Sequence, residues 1–287
     1  MKISNQNLDK ILERCTKKEI DLIIYIGQFQ DDLGVIKGVY YKDVLEAIDI
    51  AKSTFYKLLY GLEDKGIIDI CWLNEDFSYW SVTVRGNVFD SSKQGGKSND
   101  YSKGYFKLNY AILHTHNFKS MTKAEKVIVI RLLKMADFSY NQIRITTKTL
   151  MGWTGKSMRS VRKFVETLKK VFGITHPPRI DNGGRINPDH ASINPNLLII
   201  SKTHGFETRL TSERDTRNRY LINFSLKRYK ADAAEKDIKD CITVFKQFKI
   251  NVADAMLVLL DKTIGQFGTL VPAYLNKMTQ VFLVGGL

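Results

Sequence analysis

The sequence predicts a mainly α chain with small β-hairpins, an α+β fold made of two similar helical modules and a helical tail. Two observations lead there. Thr16 with Glu19 and Thr122 with Glu125 each make the Thr-x-x-Glu pattern of a capping box, in which a hydroxyl and a carboxylate close the orphan amides of a helix start. The stretch Ser53–Leu62 also lies over Arg159–Leu168 with apolar positions on apolar positions, and each stretch is followed by a glycine (Gly66, Gly173) and an isoleucine (Ile67, Ile174).

Taken in order, residues 1–14 are polar and read as a frayed end or a short leading helix. A helix then runs from Thr16 through Ile20, Ile23, Ile24 and Phe29, followed by a loop over residues 31–38. A short helix near Tyr41–Ile48 and a helix from Lys52 to Lys65, stopped by Gly66, come next. The pattern changes to extended at Ile67–Leu73, turns at Asn74-Glu75-Asp76, and returns over Phe77–Arg85. Three helices and a two-stranded hairpin follow one another as in a winged helix.

Residues 86–103 are rich in Gly, Ser, Lys and Asp and read as a flexible linker, with the domain limits at 1–90, 91–103, 104–228 and 229–287. The second module opens with a strand at Tyr105–Tyr110 and a helix through Val127, Ile130 and Leu133. A loop, a short helix at Thr147–Met151 and the turn Gly152–Gly155 lead to a helix reaching Gly173. Its apolar residues Val161, Val165, Leu168 and Phe172 recur at three- and four-residue steps and form one buried stripe. A hairpin at Ile174–Ile180 and Arg185-Ile186, turning at Asp181-Asn182-Gly183-Gly184, completes the module. Leu197–Ile200, Arg209-Leu210 and Tyr220–Leu226 are further strand candidates, and three helices are expected at 231–248, 252–264 and 270–284.

Charge locates the activity. The net charge is +14 over 287 residues, and such an excess points to a polyanionic partner. Residues 1–90 carry 11 Lys+Arg against 15 Asp+Glu, residues 91–230 carry 27 against 9, and residues 231–287 carry 6 against 6. The basic excess therefore surrounds the helix at 155–173, whose outer face combines Arg and Lys with serine hydroxyls. That combination suits the DNA major groove, where Arg reads guanine edges and Ser or Lys meets phosphate.

The expected double-stranded DNA contacts are Lys156, Ser157, Arg159, Ser160, Arg162 and Lys163, with Lys148 and the hairpin residues Arg179 and Arg185. The grouping Arg214, Arg217 and Arg219 adds charge. In the acidic first module, Lys52, Ser53, Thr54, Tyr56 and Lys57 form a secondary DNA-binding set, and Trp72, Phe77, Tyr79 and Trp80 offer a self-association surface.

Cys15, Cys71 and Cys241 are odd in number and unpaired in spacing, and they read as thiols of a reducing compartment. The chain lacks an apolar run of membrane-spanning length and a signal-peptide core, so a cytoplasmic protein without membrane contact is expected. Gly96-Lys97-Ser98 and Gly155-Lys156-Ser157 lack the glycine five residues earlier that a phosphate loop requires. His114-Thr115-His116 resembles the metal pair of a DNA nickase but has no acidic partner, so neither catalysis nor a metal or other cofactor is expected.

Two winged-helix modules joined by a linker, with the Arg159-Ser160-Val161-Arg162-Lys163 helix in the second, resemble the tandem winged-helix replication initiators of low-GC bacterial plasmids and phages. The resemblance implies sequence-specific binding to repeated origin sites as a homodimer or multimer. It also implies a first module that dimerises, a second that reads DNA, and a helical tail that meets a host replication protein. A transcription regulator, or a plasmid partition or transfer accessory protein, would carry the same features.

Overall fold

The computed structural model describes residues 1–287 apart from 32, 38, 73–79, 88–103, 109–111, 114–115, 139–141, 170–171, 178–195, 203–212, 251 and 286–287. The expected linker core, the Asn74-Glu75-Asp76 turn and the Asp181–Gly184 turn lie outside the described residues. The chain is mainly helical with small antiparallel sheets, and it divides into two compact units: Met1–Phe106 with Thr211–Leu287, and Lys107–Leu210.

The first unit begins with β1 (Lys2–Ser4) and α1 (Asn5–Arg14). This start does not fray, because Ile3, Leu8, Ile11 and Leu12 are buried. Next come α2 (Lys17–Ile26), β2 (Val35–Ile36), α3 (Tyr41–Ile48), α4 (Lys52–Asp64), β3 (Ile68–Trp72) and β4 (Trp80–Val84), with β5 (Tyr105–Lys107) pairing back onto β1. The sheet order is β2-β4-β3, antiparallel throughout.

The second unit repeats this plan. It contains α5 (His116–Ser120), α6 (Lys123–Phe138), β6 (Gln142–Thr146), α7 (Thr147–Thr154), α8 (Met158–Leu168), β7 (Phe172–Thr175) and β8 (Leu197–Lys202), and its sheet order is β6-β8-β7. The helices repeat at a constant shift of 106 positions, from Thr16 to Thr122, Tyr41 to Thr147, Asp49 to Gly155 and Lys52 to Met158. At that shift α3 and α7 are both 8 residues long. Both end in a left-handed residue, Asp49 at φ 52° and Gly155 at φ 63°, which reverses the chain within three residues before the next helix starts. The buried residues Phe55, Leu59 and Leu62 of α4 fall over the buried Val161, Val165 and Leu168 of α8.

The capping boxes are built alike. Thr16 Oγ1 accepts from the Glu19 amide at 3.4 Å while Glu19 Oε2 accepts from the Thr16 amide at 2.6 Å. Thr122 and Glu125 do the same at 3.4 and 2.7 Å. Glu19 also receives Lys65 Nζ on both carboxylate oxygens at 2.5 Å. A Cβ placed on Gly61 would stand 2.6 Å from Glu19 Oε1. Gly→Ala in a helix ordinarily stabilises by about 1 kcal/mol. Here Gly61→Ala should instead destabilise by about 1 kcal/mol, because the displaced carboxylate loses a cap and an ion pair. Urea unfolding checks this, and a raised midpoint would show that Glu19 moves aside without loss.

The tail consists of α9 (Glu213–Tyr229), α10 (Glu235–Gln247), α11 (Ala253–Phe267) and α12 (Pro272–Leu283). Leu221, Ile222 and Leu226 of α9 share a core with Ile238, Ile242, Phe245, Met256, Leu259, Leu260 and Leu275. The expected strand at Tyr220–Leu226 is therefore helical. Burial at Arg217, Asn218, Leu221, Ile222, Ser225 and Leu226 follows a three-to-four-residue step that the short apolar run hides.

The tail is also part of the first unit rather than a separate region from 229 onward. The Tyr220 ring lies 4.1 Å from Phe29, and its hydroxyl is 3.3 Å from that of Tyr25. Buried Asp31 closes its own turn by accepting from the amides of Leu33 and Val35, both at 2.9 Å, and its second oxygen accepts from the Ala253 amide at 3.2 Å. A carboxylate at the first residue of α11 also meets the positive end of that helix.

Candidate nucleic-acid interface

Local chemistry builds α8. Ser157 caps it by accepting from the Ser160 amide at 3.4 Å, and Gly155 supplies the left-handed turn that separates it from α7. Val161, Val165 and Leu168 are buried as the periodicity requires. The helix stops at Leu168, so Phe172 is buried from β7 rather than from the helix, and Gly173 lies in that strand instead of ending α8. With 11 residues, α8 is about 16 Å long at the standard rise, enough to lie along a segment of the major groove.

The outer face is cationic. Lys148 on α7, Lys156 and Ser157 in the turn, and Arg159, Arg162 and Lys163 on α8 are exposed, and Ser160 is half-buried. Among the described residues no hydrogen bond or ion pair engages the side chains of Lys148, Lys156, Arg159, Arg162 or Lys163. Lys169, by contrast, pairs with Glu166 at 2.8 Å. Arg159, Arg162 and Lys163 stand three and four residues apart, a spacing at which like charges repel and weaken a helix. An external anion would relieve that repulsion.

The first unit and the tail differ. Their cations are repeatedly neutralised, as in Lys65–Glu19 at 2.5 Å, Arg219–Glu235 at 2.6 Å, Arg228–Asp261 at 2.8 Å and Lys246–Asp215 at 2.7 Å, together with Lys37–Asp254 and Arg85–Asp69. Residues 107–210 hold 18 Lys+Arg and 6 Asp+Glu, so this unit carries +12 of the +14.

Several sequence expectations change on this geometry. Trp80 is 1% exposed, its ring 5.6 Å from Phe55, so it belongs to the first unit's core and cannot serve a self-association surface. Trp72 pairs with it across β3 and β4, and Phe77 and Tyr79 lie outside the described residues. Arg217 is buried and donates to Gln30 O at 3.5 Å, and Arg219 hydrogen-bonds Glu235, which lowers the Glu235 carboxyl below its ordinary range. Arg217 and Arg219 thus form no open basic surface. β7 pairs with β8, with Ile174 opposite Ile200, while Arg185-Ile186 of the expected hairpin lies outside the described residues.

Arg179, Arg185 and His114 lie outside the described residues. On α4, Lys52, Ser53 and Lys57 are exposed and Thr54 and Tyr56 half-buried. Sequence reasoning missed β6 and its exposed Arg144, which stands between buried Ile143 and Ile145 and has no partner among the described residues. The alternation Ile143-Arg144-Ile145 was the signal that could have found it.

Among the described residues no group of His, Cys, Asp and Glu is arranged to hold a metal ion, and no helix is long and apolar enough to cross a membrane. The cysteines form no disulfide, and burial, reinforced by Asp237 and Asp240, pushes the Cys241 thiol up to about 12. Comparison with known proteins gives no matching family model, no matching curated protein and no matching solved structure.

Proposed function

We propose that this chain is a sequence-specific double-stranded DNA-binding protein that reads its site with α8 and acts as a replication initiator of a plasmid or phage. The observation that carries the DNA-binding reading is the uncompensated cationic face of Arg159, Arg162 and Lys163, set in the unit that holds +12 of the +14 charge. In this reading both units are winged helix-turn-helix modules. Each runs helix, strand, helix, helix, strand, strand, with the last strand in the centre of the sheet. Such modules lay the second helix of the turn into the major groove.

The division of labour follows from charge. The second unit anchors and reads the duplex through Lys148, Lys156, Ser157, Arg159, Ser160, Arg162 and Lys163, and the first makes a weaker contact through Lys52, Ser53, Thr54, Tyr56 and Lys57. Burial of Trp80 removes one anchor of the expected dimer surface, and the proposal does not depend on a dimer. The origin role rests on the resemblance to tandem initiators. Selection of bound sequences from random duplexes tests the proposal: a defined consensus is expected, occurring as repeats beside an origin. A selection that never departs from the input pool would overturn sequence-specific binding, and a consensus confined to single sites beside promoters would overturn the replication role.

A further inference from the structure

We propose that Tyr40, Tyr41, Lys42, Lys52 and Lys227 form a second anion site, in the first unit, that takes a phosphate group. Lys42 on α3 and Lys227 on α9 are far apart in the chain, yet both ammonium groups come to the Tyr40 ring, at 5.7 and 5.5 Å from its centre. Tyr41 stands edge-on to Tyr40, with ring centres 4.9 Å apart, and carries Lys52 at 4.9 Å. Three cations from three helices thus gather on one pair of aromatic rings.

All three lysines are exposed, and none has a hydrogen bond or ion pair among the described residues. Asp43, next along α3, is half-buried and forms no ion pair among them. An exposed cation–π contact contributes only about 0.5 to 1 kcal/mol, which leaves most of the charge on each ammonium group uncompensated. A phosphate offers several charged acceptor oxygens to which lysine ammonium groups donate, with the Tyr41 hydroxyl as an added donor. Because Lys227 belongs to the tail, the complete site exists only while α9 is docked on the first unit through Tyr220 and Phe29.

The source of the phosphate, a nucleic-acid backbone or a free phosphate, rests in part on the DNA-binding reading, so the test separates the two. Lys42→Gln/Lys227→Gln in the full chain removes charge without changing volume appreciably. Against a duplex from the selection, the slope of log affinity on log salt should fall by about 0.9 for each lysine lost, and affinity at 0.15 M salt by about fivefold for each. Lys236→Gln, exposed on α10, should leave both unchanged. In parallel, the Tyr40 and Tyr41 ring NMR signals are followed during titration with inorganic phosphate and with duplex. Movement with millimolar inorganic phosphate assigns the site to free phosphate, and movement with duplex alone assigns it to the nucleic-acid backbone. An unchanged slope together with unmoved rings overturns the site. If Arg159→Ala/Arg162→Ala is silent as well, the DNA-binding reading falls with it; if that variant binds weakly, only the second site is lost.

Discussion

Arg159→Ala and Arg162→Ala should each weaken binding to the selected duplex by about 1 to 3 kcal/mol, roughly 5- to 150-fold, and each should relax preference at particular base pairs. Both guanidinium groups stand on the exposed face of α8, with no partner among the described residues to hold them back from a base edge. A bidentate pairing with guanine uses the planar fork of Arg, which alanine cannot replace. Lys163→Ala should behave differently. A lysine that meets phosphate contributes to all duplexes alike, so affinity falls uniformly and the salt slope drops by about 0.9. Titrations against the selected duplex and against single-base variants separate the two behaviours. If the arginine variants lose affinity equally for every duplex, α8 anchors but does not read.

Trp80→Ala should cost about 3 to 5 kcal/mol of stability, a large part of the 5 to 15 kcal/mol that typically holds a domain folded. The indole is 1% exposed and packs near Phe55, itself fully buried in the first turn of α4. Its removal leaves a cavity between the sheet β2-β4-β3 and that helix. Urea denaturation of the full chain should show an early transition for the first unit and its tail, since the two share one core region through Phe29, Tyr220 and Asp31. A variant that keeps its unfolding midpoint but changes its sedimentation would restore the self-association role and contradict the structure.

The parts of the fold legible in the sequence are those set by neighbours along the chain. Thr16 with Glu19 and Thr122 with Glu125 announce helix starts because capping is a contact between residues three apart. The stripe Val161, Val165 and Leu168 announces the buried side of α8 for a similar reason. Pairings between distant segments were not legible. The partner of β7 is β8, with Thr175 opposite Ile199, and nothing local to Ile174 names Leu197–Lys202. The docking of the tail through Tyr220 and Asp31 likewise joins residues about two hundred positions apart. The aromatic group Trp72, Phe77, Tyr79 and Trp80 shows a further limit. Strand neighbours alternate faces, so composition marks an aromatic hairpin without telling which rings point inward. The candidate site was legible where it depends on one helix, at Arg159, Arg162 and Lys163. It was not legible where it depends on β6, for Arg144, or on two meeting segments, for Lys42 and Lys227.

Photo-crosslinking from a single position tests the central claim most directly. A photoreactive residue placed at Lys163 on α8, compared with one at Lys277 on the exposed side of α12, is irradiated in the presence of the selected duplex. The account predicts covalent attachment to the duplex from position 163, within the consensus, and none from position 277. Attachment from 277 with silence at 163 would contradict it.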